Sequence, residues 1–231
     1  MERKKVLNLA IDTLYSQEGK EALDYLKTSR GFSAYTINSF GLGYVPSRVN
    51  NIYGDPHEFA GRIVLPIRNS YGDLVALSSR DFREGARNKF FHEQFKKSNC
   101  LFALDIAKAS IIKNNKVIVV EGELDVMKMY SVGIKYTVGT WGSSFSIKQV
   151  SLLARYCQEI FLLFDGDDAG RNVIRRSMKM NITYGLDGSG ITLIPSYLPD
   201  GFDPDDFIKE NGKDEMIKLL RRSKKSIGDQ S

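Results

Sequence analysis

The chain has 231 residues, 42% hydrophobic and 26% charged, which excludes a disordered or fibrous protein and leaves room for one large domain or two modest ones. A net charge of +5 favours an anionic partner, and the excess lies in residues 1–115 (17 Lys/Arg against 12 Asp/Glu), since residues 116–231 balance at 16 against 16. Two cysteines, Cys100 and Cys157, and two histidines, His57 and His92, lack the spacing of a zinc site or a disulfide framework, as expected of a reducing compartment.

In chain order, "MERKKVLNLAID" carries an apolar run cut by Asn8 and Asp12, too short for an export signal, and no later segment is long enough to span a bilayer. A cytoplasmic protein without a membrane partner is expected. Residues 5–40 read as helices: Val6, Leu7, Leu9, Ile11 and Leu14 follow a mostly helical period, "GKEALDYLKTSRG" ends on a glycine stop, and Ser33 caps a third short helix ending near "FGLGYVP". From residue 62 the pattern becomes short strands, "GRIVLPIRN", "SYGDLVALSSRDF" and "NKFFHEQF", with "NSYGD" as a hairpin turn. "LFALDIAKA" reads as a helix, followed by the polar turn "KNNK".

Beyond the turn, "VIVV" is continuously apolar, as in a parallel strand covered on both faces. A helix at 123–132, the strand "YTVGT", a helix at 146–156, the strand "IFLLF", a helix at 168–181 and the strand "GITLIP" follow. This alternation predicts a parallel α/β sheet flanked by helices, preceded by a smaller basic α+β part. The expected division is 1–115, 116–212, and a C-terminal helix and disordered tail at 213–231.

Acid collects where those strands end. "VIVV" runs into Glu121, with Asp125 one helical turn further on, and "IFLLF" runs into Asp165, Asp167 and Asp168. "GFDPDDF" places Asp203 and Asp205 after "GITLIP". In open α/β sheets this edge is where ligands bind. One carboxylate suffices to cap a helix; Asp167 or, by preference, Asp168 suits that role, as does the Asp203-Pro204 pair. The rest crowd like charges together, which is costly unless a cation sits among them. Oxygen donors without His or Cys suit Mg²⁺ or Mn²⁺ and no zinc. An EF-hand loop is excluded by Ala169 and Arg176, and a nucleotide-binding P-loop is missing. A haloacid-dehalogenase-like phosphatase also places Asp-x-Asp after a strand, but leaves Glu121 without a role.

"VVEGELDVMKMYSVGI" followed by "FDGDDAGRNV" resembles the TOPRIM domain of primases, topoisomerases and some nucleases. "GFDPDDFIKENG" is similar to the downstream acidic segment of bacterial and phage DnaG-type primases, and "FGLGYVP", "GRIVLPIRNSYGDLVALSSRDF", "NKFF" and "LFALDIAK" resemble the first part of their polymerase core in the same order. The resemblance implies primer synthesis: short RNA made from ribonucleoside triphosphates on a single-stranded DNA template. It implies Glu121, Asp165 and Asp167 as the central catalytic, metal-binding acids, and Asp125, Asp203 and Asp205 as supporting metal ligands. It places Arg80, Lys89 and Lys97, and less directly Arg62 and Arg68, toward template and nucleotide. A replicative helicase and a separate zinc-ribbon protein become expected partners. Two departures stand out: Glu123-Leu124 replaces Tyr-Met, and Trp141 stands where a small aliphatic residue is usual. A TOPRIM nuclease and a non-catalytic nucleic-acid-binding accessory protein are the alternative readings.

Overall fold

The computed structural model describes residues 3–47, 58–142, 144–183 and 190–228, with the side chains of 181–183 and 227–228 left aside. His57 and residues 229–231 of the expected tail lie outside them. The chain forms two compact units, Met1–Phe95 and Lys96–Ser231.

The first unit opens with helix α1 (Arg3–Leu14), which buries Val6, Leu7, Ala10 and Leu14 along one stripe. Helix α2 (Lys20–Asp24) continues into a π-turn over Tyr25–Ser29, closed by Arg30 N–H donating to the Tyr25 carbonyl at 3.1 Å. Helix α3 (Ala34–Phe40) starts at Ser33, whose Oγ accepts from Thr36 N–H at 3.1 Å, as its sequence predicts. The helix ends at Phe40, at the start of "FGLGYVP" as expected, and the rest of that stretch holds a strand the sequence did not announce, β1 (Gly43–Val45). Three residues carry too short a pattern to announce a strand; pairing with β2 recruits them, Gly43 opposite Val64 and Val45 opposite Arg62.

Strands β2 (Arg62–Arg68), β3 (Leu74–Arg80) and β4 (Phe90–His92) complete an antiparallel sheet in the order β1-β2-β3-β4. The β2–β3 turn is held by Asn69, whose Oδ1 accepts from the N–H groups of Tyr71 and Asp73 at 2.9 and 3.0 Å. Val6, Leu7 and Ala10 of α1 join Val45, Phe59, Val64 and Leu77 in this unit's core.

In the second unit, helix α4 (Leu104–Asn114) extends further than "LFALDIAKA" suggests and ends at Asn115, which takes a left-handed conformation with φ 50°. Its Leu104, Ala107 and Ile111 pack with Val117, Val119 and Leu162 of the sheet. Phe102 bonds to Gly139 in both directions, at 2.8 and 3.2 Å. Residues 96–115 therefore fold with the parallel sheet, and compactness divides the chain earlier than the expected boundary at 115.

That sheet contains β5 (Lys116–Val120), β6 (Thr137–Gly139), β7 (Glu159–Phe164) and β8 (Thr192–Tyr197), all parallel, in the order β6-β5-β7-β8. Helices α5 (Glu123–Ser131), α6 (Ile147–Leu153) and α7 (Asp168–Thr183) alternate with them. Val117 to Val120 are wholly buried, which explains a strand with no polar alternation. Helix α8 (Pro204–Gly228) follows β8 and is interrupted at Gly212, whose φ of 79° is not helical. Among the described residues no helix is long and apolar enough to cross a membrane.

Strand order positions the site. From β5 the chain steps to β6 on one side, then returns to β7 on the other. The connections leaving β5 and β7 diverge, opening a crevice beyond their C-terminal ends, where such sheets bind ligands.

Candidate metal centre

Glu121 follows β5 directly and Asp165 follows β7 directly, so both stand at this switch point. Beyond Glu121, Gly122 N–H donates to Asp125 Oδ2 at 3.1 Å across the first turn of α5. At the other strand, Asp167 Oδ1 accepts from Gly170 N–H at 2.7 Å and caps α7. The capping role expected for Asp168 therefore belongs to Asp167: Asp168 is already the first helical residue, past the position from which a side chain reaches back. The second oxygen of Asp167 is not used in that bond.

The glycine between the two aspartates has a steric reason. A Cβ on Gly166 would fall 2.0 Å from the Pro199 carbonyl oxygen. Its N–H donates to the Phe202 carbonyl at 2.7 Å, and Gly201 N–H donates back to the Gly166 carbonyl at 2.9 Å. These bonds draw the loop after β8 against the end of β7. Asp203, next in the chain, caps α8 through Asp206 N–H at 2.7 Å, with Pro204 at the first helical position, as its sequence predicts. Gly170 is needed equally, since a Cβ there would lie 2.2 Å from the Asp165 carbonyl oxygen.

The charges respond to this convergence. Burial, reinforced by Glu121, Asp203 and Asp167, pushes the Asp165 carboxyl up to about 7. Its Oδ1 is buried without a hydrogen-bond partner. Asp125 is driven well above the usual carboxylate range by burial, then by Asp203 and Asp165. Burial and Asp167 raise Glu121; burial raises Asp203 against the opposing Asp206 N–H. Glu121, Asp125, Asp165, Asp167 and Asp203 thus share one electrostatic neighbourhood.

An orphaned buried oxygen among mutually repelling carboxylates fits a hard divalent cation. Among the described residues no three carboxylates, histidines or cysteines come close enough to hold an ion unaided. Such an ion would complete its shell with water or substrate oxygens, as Mg²⁺ commonly does. Asp205 differs from the others. It is buried and lies 3.3 Å from Lys128 Nζ and 2.9 Å from Lys209 Nζ. Lys128 was not legible as a site residue, although a lysine inside the apolar run "VMKMY" is its signal.

The basic candidates divide by exposure. Arg80 is buried, with its guanidinium 4.8 Å from the Phe90 ring centroid and Nε donating to Tyr25 Oη at 3.2 Å. Arg62 donates to the Asn88 and Lys89 carbonyls at 2.8 and 3.5 Å, bracing the loop that carries Lys89. Arg68 donates to the Gly72 carbonyl at 3.0 Å within the β2–β3 turn. Lys89 is exposed. In the second unit, exposed Lys97 reaches the Trp141 carbonyl at 2.9 Å. Trp141, in the loop after β6, takes the left-handed region at φ 66° and stands edge-on to Phe102 at 5.1 Å. Next to it, Gly142 N–H donates to the Glu121 carbonyl at 3.3 Å, so this loop borders the acids.

A four-stranded parallel sheet with Glu after one central strand and Asp-Gly-Asp after the other defines a TOPRIM-type domain, and residues 118–208 match the Toprim-like family model. Residues 53–108 match the model for the N-terminal domain of the DNA primase catalytic core. The DNA primase of Aquifex aeolicus is 31% identical over 89% of this chain and 46% of its own length. A solved DnaG catalytic core superposes with a TM-score of 0.85 at 26% identity, over 95% of this chain and 78% of that one. A DnaG primase catalytic domain bound to single-stranded DNA gives 0.83 at 25% identity, over 95% and 81%. The chain belongs to the family of DnaG-type primase catalytic cores. It spans less than half the length of the curated primases it matches.

Proposed function

We propose that this chain synthesises short RNA primers on single-stranded DNA by metal-dependent nucleotidyl transfer. The observation that carries the reading is the buried, unpartnered Oδ1 of Asp165 among Glu121, Asp167 and Asp203 at the sheet's switch point. Such an arrangement is stable as a set of anions only when positive charge enters it. Glu121, Asp165 and Asp167 would hold Mg²⁺ or Mn²⁺, with Asp125 and Asp203 raising the local negative potential. When bound, such ions activate the attacking hydroxyl and neutralise the triphosphate and leaving oxygen.

The chain's own residues set up that chemistry. Asp167 keeps one oxygen on the helix cap, so its carboxylate is oriented before any ligand arrives. Glu121 stands at the strand end facing the same crevice and is our choice for the group accepting the proton of the attacking 3′-hydroxyl. The opening N–H groups of α7 offer a positive helix end to a triphosphate. Exposed Lys89 and Lys97 are proposed to meet template and nucleotide phosphates, with Arg62 supporting the first through its loop. The single-stranded DNA bound by a structural relative supports the template assignment. Replicative helicase and zinc-ribbon partners in a bacterial or phage-infected cytoplasm complete the same reading.

The test is synthesis. Single-stranded DNA, four ribonucleoside triphosphates and Mg²⁺ or Mn²⁺ are supplied to the wild type, Asp165→Asn and Glu121→Gln, with and without helicase and zinc-ribbon partners. Oligoribonucleotides made by the wild type and reduced at least about 100-fold in both variants are expected. Cleavage of nucleic acid with no synthesis under any of these conditions would replace the primase reading by the nuclease one.

A further inference from the structure

One acid at this edge already has two lysines beside it. Asp205 is 2% exposed, and Lys128, 7% exposed, brings Nζ to 3.3 Å from its Oδ1. Lys209 brings Nζ to 2.9 Å from its Oδ2. The first lysine stands on α5, one turn beyond Asp125; the second stands on α8, one turn beyond Asp205. A buried ammonium beside a carboxylate oxygen repels a divalent cation approaching the same oxygen, and low dielectric strengthens that repulsion. Lys128 also joins two elements, because its ion pair ties the first turn of α8 to α5. That turn is capped by Asp203, whose Oδ1 accepts from Asp206 N–H at 2.7 Å.

We propose that Lys128, with Lys209, takes the place of a metal ion at Asp205. Asp205 then acts structurally rather than as a ligand: it locks the first turn of α8 to α5. Metal loading is left to Glu121, Asp165 and Asp167. This inference rests on the metal-dependent reading above for its second half only; the ion-pair clamp stands without it.

The test uses the full chain and two readouts independent of activity. The first is Mn²⁺ binding, followed by paramagnetic resonance and by the fluorescence of Trp141, the chain's single tryptophan, which borders Glu121. Asp205→Asn should hold Mn²⁺ within about twofold of wild type, while Asp165→Asn weakens it at least about tenfold. Lys128→Met, which leaves Asp205 with Lys209 alone and removes the cation at its Oδ1, should tighten Mn²⁺ binding severalfold, a gain that a merely structural lysine would not give. Equal losses in Asp205→Asn and Asp165→Asn would overturn the proposal.

The second readout is thermal unfolding in EDTA. Lys128→Met and Asp205→Asn should each lower Tm by about 10 °C, and the double variant should lose much less than their sum. If Lys128→Met alone does not fold, recovery of folded protein on adding Asp205→Asn reports the same coupling; additive losses, or no recovery, overturn the clamp. A wild type that takes up no Mn²⁺ removes the metal reading, and the EDTA cycle still decides the pairing.

Discussion

Gly166 N–H donates to the carbonyl of Phe202 at 2.7 Å, and this bond fastens the exit of β7 to the loop that launches α8. It places Asp203 within electrostatic reach of Asp165 although the two arrive from different strands. The glycine of Asp-Gly-Asp therefore serves the site by letting two backbones touch.

Gly166→Ala should accordingly cost about 2–4 kcal/mol, since its Cβ would meet a carbonyl rather than a flexible side chain. Denaturant unfolding measures this loss. Mn²⁺ affinity should fall with it, because the β8 loop must retreat and take Asp203 away.

Thermal stability without metal should fall as pH rises. Asp165 has a folded value of about 7 against 3.8 for the free group, so the folded state retains a proton that the unfolded state has released. The stabilisation is complete below 3.8 and lost as pH climbs through about 7. Asp125, Glu121 and Asp203 are shifted in the same direction. Melting curves in EDTA between pH 5 and 8 should show the decline, and Asp165→Asn should flatten it.

Divalent cation should oppose that decline. At a concentration one hundred times Kd, Mn²⁺ adds about 2.7 kcal/mol, or roughly 5–10 °C in Tm for a chain of this size. The gain should grow from pH 5 to 8 as the carboxyls become free to bind. Scanning fluorimetry with and without Mn²⁺ reads it, and Asp165→Asn should remove most of it.

Among the basic residues, burial separates support from contact. Arg80→Ala should destabilise by about 1–3 kcal/mol, through the lost Phe90 and Tyr25 interactions. Lys89→Ala should change stability by less than about 0.5 kcal/mol while weakening single-stranded DNA binding and reducing its logarithmic salt slope by about 0.7. Unfolding and anisotropy titrations at several salt concentrations distinguish the two.

The two adjacent aspartates at the start of α7, its cap Asp167 and its first residue Asp168, should also part company. Asp167→Ala removes the cap and should cost about 1 kcal/mol together with metal affinity. Asp168→Ala, which leaves both intact, should stay within about 0.5 kcal/mol by the same unfolding assay.

The alternation of "VIVV", "IFLLF" and "GITLIP" with helical segments was legible because parallel strands buried on both faces need continuous apolar runs. Glu121, Asp125, Asp165, Asp167 and Asp203 stood out in the sequence because more charge gathers after these strands than helix capping alone needs. Less was readable where a residue's role depends on a distant neighbour. β1 exists because β2 pairs with it, and residues 96–115 join the second unit because Phe102 and α4 find partners on its sheet. The cap fell to Asp167 rather than Asp168 because the helix starts at Asp168, as the sequence implies, and the residue before the first helical one is the one whose side chain reaches Gly170 N–H.

By itself, then, the order of residues determined the elements, the acids at their ends and the family resemblance, since periodicity and strand-end charge are local properties. Only the tertiary structure decided which acids repel one another and which are answered by lysine. Asp205 and Asp165 look alike in sequence, and each buries an Oδ1 without a hydrogen bond, but Asp205 has Lys128 Nζ at 3.3 Å and Lys209 Nζ at 2.9 Å. Coulomb energy depends on distance and burial, and both are set by the packing of α5, α8 and the sheet.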